Sequence, residues 1–346
     1  MHLPSMADIA REAGVSRNAV SLALRNDPQI ALATRERIHA IAGRLGYQRN
    51  PAVGTLMSQM RRRSSQGSLG TLALINANHD RNAIQDHPTI PDYFNGCRSR
   101  ALSLGYSVDT FWLHEPGMSG NRWKDILLTR GIRGILLIGM MKQNRIPECL
   151  VPSIEALPCV VTGVRTRRPA MSFACVDHHI LTLRAFEKAI DLGYRRPGLV
   201  LDQEIDDLVE HRFSAGYASG QLLLPPQDRI PPFFEVQASR VDPGIFRRWF
   251  DAYRPDVIFT LYNIVRTWIQ DLGMRVPEDV GLIQLEWRSN RPEWAGMRQH
   301  NDLCGSVAVD MLLRMIHNGE CGIPPFPIAT LIGPTWVDGS TVRYPG

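Results

Sequence analysis

Near the start of the chain, apolar residues recur at helical spacing in three short segments. Gly14 separates the first two segments, and Ser16 stands where it would cap a second helix that runs from Arg17 to about Arg25. A third helix is predicted from about Thr34 to Leu45. The residues predicted to face inward are Ile9, Ala10, Ala13, Val20, Ala23, Leu24, Ile38, Ile41, Ala42 and Leu45.

From Leu69 onward the pattern changes to short apolar runs that alternate with helical segments. This alternation predicts an α/β region in which helices cover both faces of parallel sheets. The predicted strands are Thr71–Ile75, Ser107–Trp112, Gly134–Gly139, Cys159–Gly163, Arg196–Leu201, Val257–Leu261 and Gly281–Leu285. The predicted helices between them include Tyr93–Leu104, Leu181–Leu192 and Leu303–His317.

Charge is distributed unevenly between these two regions. Residues 1–68 contain ten arginines and no lysine against four acidic residues, whereas the remaining residues are close to neutral. A basic end on a neutral body is typical of a module that binds a polyanion. The six cysteines show no CxxC spacing, and no signal peptide or long apolar run is visible. We therefore expect a reduced, cytoplasmic protein that does not enter the membrane.

Two helices joined by a tight glycine turn and supported by a third form a helix-turn-helix, whose second helix enters the major groove of DNA. The segments MADIAREAGVSRNAVSLALRN (6–26), TRERIHAIAGRLGY (34–47) and NPAVGTLM (50–57) resemble the headpiece and hinge of the lactose-repressor (LacI/GalR) family. The resemblance implies that Arg17 and Asn18 read bases, that Ser16 and Ser21 contact phosphates, and that Tyr47 and Asn50 anchor the backbone.

Two positions depart from the family pattern. Members commonly have Thr at the position of Ala19 and Arg at that of Leu22, so we expect a different operator preference. Leu22 is a candidate for contact with a thymine methyl group. For each of these residues the alternative is a solvated helix face.

A short hinge is predicted to follow the headpiece. Asn50-Pro51 suits a helix start, and the resemblance implies that Leu56 is wedged into the minor groove. The alternative is an amphipathic linker that packs on the core. We predict a headpiece at 1–49, a hinge at 50–68 and a core at 69–346.

The resemblance continues weakly through the core and implies a periplasmic-binding-protein-like arrangement of two lobes with an effector between them. Lobe 1 is predicted at about 69–168 and 300–329, and lobe 2 at about 169–299 and 330–346. The predicted crossovers lie near Thr166–Phe173, Met297–Asn301 and Ile328–Ile332.

Candidate effector contacts are carried over with departures from the family pattern. The resemblance implies Arg212, Asn263 and Glu286, although Arg212 stands four residues before Gly216 instead of three. Tyr93 and Phe94 are candidates for stacking, and Trp112 and Trp287 for apolar walls. The alternative for each is ordinary packing. Arginine, glutamate and aromatic side chains suit a sugar or a related polar metabolite.

No motif of a hydrolase, a phosphate loop or a metalloprotease occurs, so we expect no catalysis, no cofactor and no metal. The acidic segment Asp202–Asp207 is expected to be a solvated loop, and His79, His178 and His179 lack partners at ligand spacing. The sequence predicts a homodimeric DNA-binding repressor that responds to a small-molecule effector. The alternative is a cytoplasmic small-molecule-binding protein without regulatory DNA binding.

Overall fold

A computed structural model describes residues 6–24, 27, 29–45, 68–141 and 143–345, and every structural statement below concerns these ranges. Three helices form the headpiece, which we define as residues 6–45: α1 (Met6–Ala13), α2 (Arg17–Ala23) and α3 (Leu32–Arg44). Helix α2 ends two residues before the predicted Arg25, and α3 begins two residues before the predicted Thr34. The predicted hinge residues before Ser68, including Leu56, lie outside the described residues.

The headpiece folds around one small apolar cluster. Gly14 turns the chain between α1 and α2 with a positive φ of 64°, which a glycine adopts without the clash of a β-carbon. Most residues predicted to face inward are buried, whereas Leu24 and Leu45 are only half-buried and pack against the cluster. The buried set is Ile9, Ala10, Ala13, Val20, Ala23, Ile38, Ile41 and Ala42.

The first of two sheets, which defines lobe 1, has six parallel strands. Its spatial order is β10-β5-β4-β3-β1-β2, so the strand from the far end of the sequence forms one edge. These strands are β1 (Thr71–Asn76), β2 (Ser107–Trp112), β3 (Ile132–Ile138), β4 (Cys159–Thr162), β5 (Phe173–Val176) and β10 (Ala329–Ile332).

The second sheet, which defines lobe 2, has five strands in the order β11-β9-β8-β7-β6. Strand β11 pairs with β9 in the antiparallel direction, and the other strands of this sheet pair in parallel, as predicted. The strands are β6 (Pro197–Val200), β7 (Val257–Thr260), β8 (Gly281–Gln284), β9 (Ala295–Arg298) and β11 (Thr335–Val337).

Helices connect and cover these strands, as the alternating pattern predicted. Each of the seven predicted strands and three predicted core helices is present, with ends that differ by up to three residues. The core helices are α4 (Ala83–Asp86), α5 (Ile90–Ser103), α6 (Gly120–Thr129), α7 (Val151–Ala156), α8 (His178–Asp191), α9 (Gln203–Leu208), α10 (Arg212–Gln221), α11 (Val236–Val241), α12 (Gly244–Tyr253), α13 (Ile264–Asp271) and α14 (Asn301–Asn318).

The chain passes between the lobes later than predicted at two of the three crossovers. Strand β5 extends the first sheet to Val176, beyond the predicted Thr166–Phe173 crossover. Strand β10 likewise keeps residues up to Ile332 in the first sheet, where it pairs with β5. Both segments are short and fully extended, so apolar periodicity could not distinguish a strand from a connection.

Close helix packing joins the parts of lobe 1 that are distant in sequence. A β-carbon at Gly305 of α14 would overlap the carbonyl oxygen of Tyr93, and one at Gly96 of α5 would overlap that of Asp302. Glycine has no side chain at either position, so the backbones of α5 and α14 can approach each other closely. Within the described ranges, no helix is both long and apolar enough to span a bilayer.

Candidate DNA-binding and effector sites

The start of α2 carries the predicted base-reading residues. Ser16 is extended (φ −69°, ψ 153°), and its Oγ accepts a hydrogen bond from the Ala19 amide at 3.1 Å. The Ser16 hydroxyl is exposed, and its own proton remains available for a second acceptor. Arg17, Asn18 and Ser21 lie within α2, but their side chains are outside what the structure describes, as are Tyr47 and Asn50.

Leu22 lies on the same helix and is half-buried, so its side chain is partly available for an outside contact. Neighbouring cations support the basic character of this region. The side chain of Arg11 is 79% exposed, and its guanidinium pairs with Asp8 at 3.4 Å. Arg37 donates to the Ala13 carbonyl at 3.1 Å and so ties α3 to the turn before α2. The headpiece thus holds a capped helix start beside exposed positive charge.

In the core, the carboxyl ends of the parallel strands of both sheets carry most predicted effector residues. Ligands of open α/β sheets bind at these ends. Glu286 follows β8, and its carboxylate accepts from Arg288 at 2.7 Å and from the Asn301 amide at 3.2 Å. Asn263 follows the adjacent strand β7 and accepts from Gln284 at 2.8 Å.

The charges of Arg212 and Glu286 both act on the buried hydroxyl of Tyr93, and we call these three residues the central cluster. Burial raises the pKa of the Tyr93 hydroxyl well above its usual value. The charge of Glu286 raises it further, and that of Arg212 opposes this effect. Arg212 donates to the Cys175 sulfur at 3.1 Å and to the Val176 carbonyl at 3.4 Å.

Several polar atoms near this cluster are buried and lack a hydrogen-bond partner among the described residues. Such atoms destabilise a protein unless something satisfies them. They are Nη2 of Arg212, Nε1 of Trp287 and Oδ1 of Asn301. They comprise two hydrogen-bond donors and one acceptor.

The remaining predicted effector residues are tied into other contacts. Trp112, at the end of the edge strand β2, donates to the Asn78 carbonyl at 2.9 Å. Phe94 is partly buried against the main apolar core, and Trp287 packs against the aromatic core of lobe 2. The structure therefore brings Tyr93, Arg212 and Glu286 together, while Trp112 and Phe94 take part in packing within lobe 1.

Residues that bridge the two lobes were missed by the sequence analysis. Arg288 donates to Thr89 of lobe 1 at 3.1 Å, and the Asn144 amide donates to the Leu208 carbonyl of lobe 2 at 2.8 Å. Glu210 pairs with Arg165 at 3.4 Å and with Arg167 at 3.2 Å. The only sequence signal for these bridging residues was a charged side chain shortly after the end of a strand. Many solvated loops share this feature.

The comparisons with known proteins agree with both parts of the chain. The sequence profile described as "Bacterial regulatory proteins, lacI family" matches residues 5–50, and that of a "Periplasmic binding protein-like domain" matches residues 186–342. The resemblance of the headpiece to the LacI family is thereby confirmed. The predicted fold, a helix-turn-helix headpiece on an α/β core, is confirmed.

Curated LacI-family relatives are distant. The regulator reg1 of Streptomyces lividans is 26% identical over 57% of this chain and 53% of its own length. The chain thus spans about half the length of that relative. The repressor CytR of Escherichia coli (strain K12) is 24% identical over 81% of this chain and 79% of its own length.

Solved structures of LacI-family proteins share the fold. The CelR–cellobiose complex has a TM-score of 0.59 at 19% identity and covers 98% of this chain and 99% of its own. The lac repressor dimer bound to operator and the anti-inducer ONPF has a TM-score of 0.57 at 17% identity, with coverage of 99% and 100%. At these identities the likeness concerns the fold alone.

Proposed function

We propose that this protein is a sequence-specific DNA-binding transcription repressor controlled by a small-molecule effector between its two lobes. The observation that carries the proposal is the combination, in one chain, of a headpiece with a serine-capped second helix and a two-lobed α/β core. The protein acts in the cytoplasm, and it acts as a homodimer. A dimer with two-fold symmetry matches the two half-sites of an operator. It has no catalytic role.

In this proposal the start of α2 enters the major groove. Arg17 and Asn18 suit the edges of guanine and adenine, and Leu22 is half-buried and suits a thymine methyl group. The free proton of the Ser16 hydroxyl and the hydroxyl of Ser21 donate to phosphates. Tyr47 and Asn50 anchor the backbone, and Leu56 enters the minor groove.

The effector occupies the region around the central cluster, between the carboxyl ends of the strands. A sugar or a related polar metabolite supplies hydrogen bonds to the unpartnered atoms of Arg212, Trp287 and Asn301. Binding of the effector changes which hydrogen bonds and ion pairs join the two lobes. Because the hinges of two subunits must match the half-site spacing, a shift of the lobes alters the population that can bind DNA.

DNA binding is tested with the full chain and duplex fragments selected from a random-sequence pool. Arg17→Ala should lower the affinity for a selected fragment by roughly 10- to 100-fold, the cost of about one bidentate base contact. Arg247→Ala removes the same charge from an exposed position of α12 and should leave the affinity unchanged.

Two results would count against the proposal. One is a pool that yields no preferred sequence, which would favour the small-molecule-binding alternative. The other is an affinity for the selected fragment that does not fall as the salt concentration rises, since phosphate contacts release counterions.

A screen of sugars and nucleobases for a rise in melting temperature then identifies the effector class.

A further inference from the structure

One edge of the first sheet is open. Strand β10 pairs with β5 on one side, and no strand of the described chain pairs with its other side. The carbonyl oxygens of Ile328 and Ile332 accept hydrogen bonds from amides in and just after β5, so these alternate residues face β5. Ala329 and Leu331 therefore direct their amide and carbonyl groups to the open side of the sheet.

The side chains along this edge are apolar and carry no charge. Residues 321–337 contain no Asp, Glu, Lys, Arg or His, although 21% of the chain is charged. Leu331 and Ile328 are half-exposed, and Phe326, shortly before β10, is 84% exposed. Soluble proteins usually protect an edge strand with charged side chains, which prevent pairing with another chain. This edge lacks such charges and is therefore suited to pairing.

Prolines limit how far the pairing can extend. Pro327 precedes β10 and Pro334 follows it, and a proline has no amide proton to donate to a neighbouring strand. Pairing is thus confined to the short segment in which Ala329 and Leu331 supply the outward groups. A segment of this length supports a weak and reversible contact.

The edge is complementary to a second copy of itself. Two copies related by a two-fold axis present the same surface to each other, and an uncharged surface does so without like-charge repulsion. Such a pair is antiparallel, because in a parallel pair the two strands bond in different ways. With the axis at Thr330, Ala329 of each copy lies opposite Leu331 of the other, and their outward amides and carbonyls pair.

The direction of this pairing distinguishes it from the dimer that binds one operator. All six strands of the first sheet run in the same direction, so β1 and β10 begin at the same end of it. The headpiece precedes β1 in the chain. In an antiparallel pair, the two points where headpieces attach therefore lie at opposite ends of the joined sheet. This arrangement suits two separate DNA segments, whereas the half-sites of one operator are adjacent.

We propose that the open edge of β10 pairs with β10 of a second copy of this chain and thereby joins DNA-binding dimers to one another. Self-association at this edge does not require the protein to bind DNA. The consequence for DNA, that one assembly holds two segments, rests on the proposed function.

Sedimentation equilibrium of the full chain at micromolar concentrations tests the association. The unaltered chain should form species larger than a dimer, in an amount that rises with concentration. Leu331→Lys places a charge on the edge, and Ala329→Pro removes an outward amide without a change in the bonds to β5. Each should weaken the association by at least about 10-fold. Leu222→Lys adds the same charge at an exposed position of lobe 2 and should leave the association unchanged.

The melting temperature of each variant checks that it is folded. Because one change acts through a side chain and the other through the backbone, either folded variant suffices for the test. The proposal is overturned if the unaltered chain forms nothing larger than a dimer, which would leave the edge to a different partner. It is also overturned if the folded variants associate like the unaltered chain, or if they become monomers, because the edge would then form the dimer itself.

DNA bridging is measured on the same preparations. A selected fragment fixed to a surface should capture a second, labelled fragment through the unaltered chain. Leu331→Lys should keep its affinity for a single fragment and lose this capture. If DNA binding is intact and nothing larger than a dimer forms, only this inference fails. If larger species form through the edge and no DNA sequence is preferred, the repressor proposal fails and the edge assignment stands.

Discussion

The headpiece and the core, residues 69–345, are stabilised on very different scales. Half of the eight buried residues in the headpiece cluster are alanines, which bury little apolar area. The main core cluster extends through both lobes and includes large side chains such as Phe186, Tyr217 and Phe259. We therefore expect the headpiece to need each of its few buried apolar side chains. The core, in contrast, should remain folded when one buried side chain is truncated.

The largest expected effect tests this difference directly. Ile38→Ala and Ile258→Ala delete the same atoms from fully buried positions, one in α3 and one in β7. Each should cost about 3 kcal/mol. A headpiece of this size has only a few kcal/mol of stability, so Ile38→Ala should unfold it and abolish binding of the selected fragment.

Ile258→Ala should lower the melting temperature of the core and leave DNA binding at 25 °C intact. Hydrogen exchange of headpiece and core amides, together with DNA affinity, measures both effects. Equal loss of DNA affinity in the two variants would contradict the comparison.

A glycine-to-alanine change should act in opposite directions in the two regions. At Gly305 the new methyl group overlaps the Tyr93 carbonyl, so we expect a loss of about 2 kcal/mol in the core. At Gly43, in α3, no atom lies within 4 Å of an added β-carbon. Alanine at position 43 should stabilise the headpiece by up to about 1 kcal/mol, because alanine has a higher helix propensity than glycine. Denaturant unfolding of both variants measures the sign, and a loss at Gly43 would refute the prediction.

Mild acid should weaken the core through His178. Burial, assisted by the charge of Arg212, holds the pKa of His178 well below its usual value. The unfolded chain therefore binds a proton that the native chain does not, and stability falls as the pH drops below about 6.5. Between pH 7 and pH 5.5 the loss should be on the order of 1 kcal/mol.

Denaturant unfolding of the core at a series of pH values measures this slope. His178→Asn cannot titrate, so it should reduce the slope whatever its own stability. An unchanged slope in that variant would assign the acid sensitivity to other groups.

The smallest effect concerns two serine caps. Ser16 caps α2 of the headpiece and Ser119 caps α6 of the core, each by accepting from the backbone amide three residues later. Alanine at either position should cost about 0.5–1 kcal/mol. Only Ser16→Ala should weaken DNA binding measurably, because the headpiece has less stability to lose and because Ser16 is a proposed phosphate contact. The test compares the affinities of the two variants for the selected fragment. Equal affinities would show that the two caps do not differ in their effect on DNA binding.

The sequence by itself determined the headpiece and the class of the core. Three helices and their buried faces follow from apolar spacing, Gly14 and the Ser16 cap, since these are local properties of the chain. Runs of buried apolar residues were likewise sufficient to predict seven strands and the α/β class. Strands β5, β9, β10 and β11 were missed because each lies in or close to a segment that was predicted to be a crossover between the lobes.

Only the tertiary structure decided where the chain crosses between the lobes, and which charges meet there. The crossovers depend on pairings such as that of β10 with β5, which are more than a hundred residues apart in sequence. For the same reason, no periodicity could reveal that Arg288 reaches Thr89, or that Arg165 and Arg167 of lobe 1 pair with Glu210 of lobe 2. Contacts between distant segments depend on how the sheets and helices pack, and a single sequence does not encode them locally.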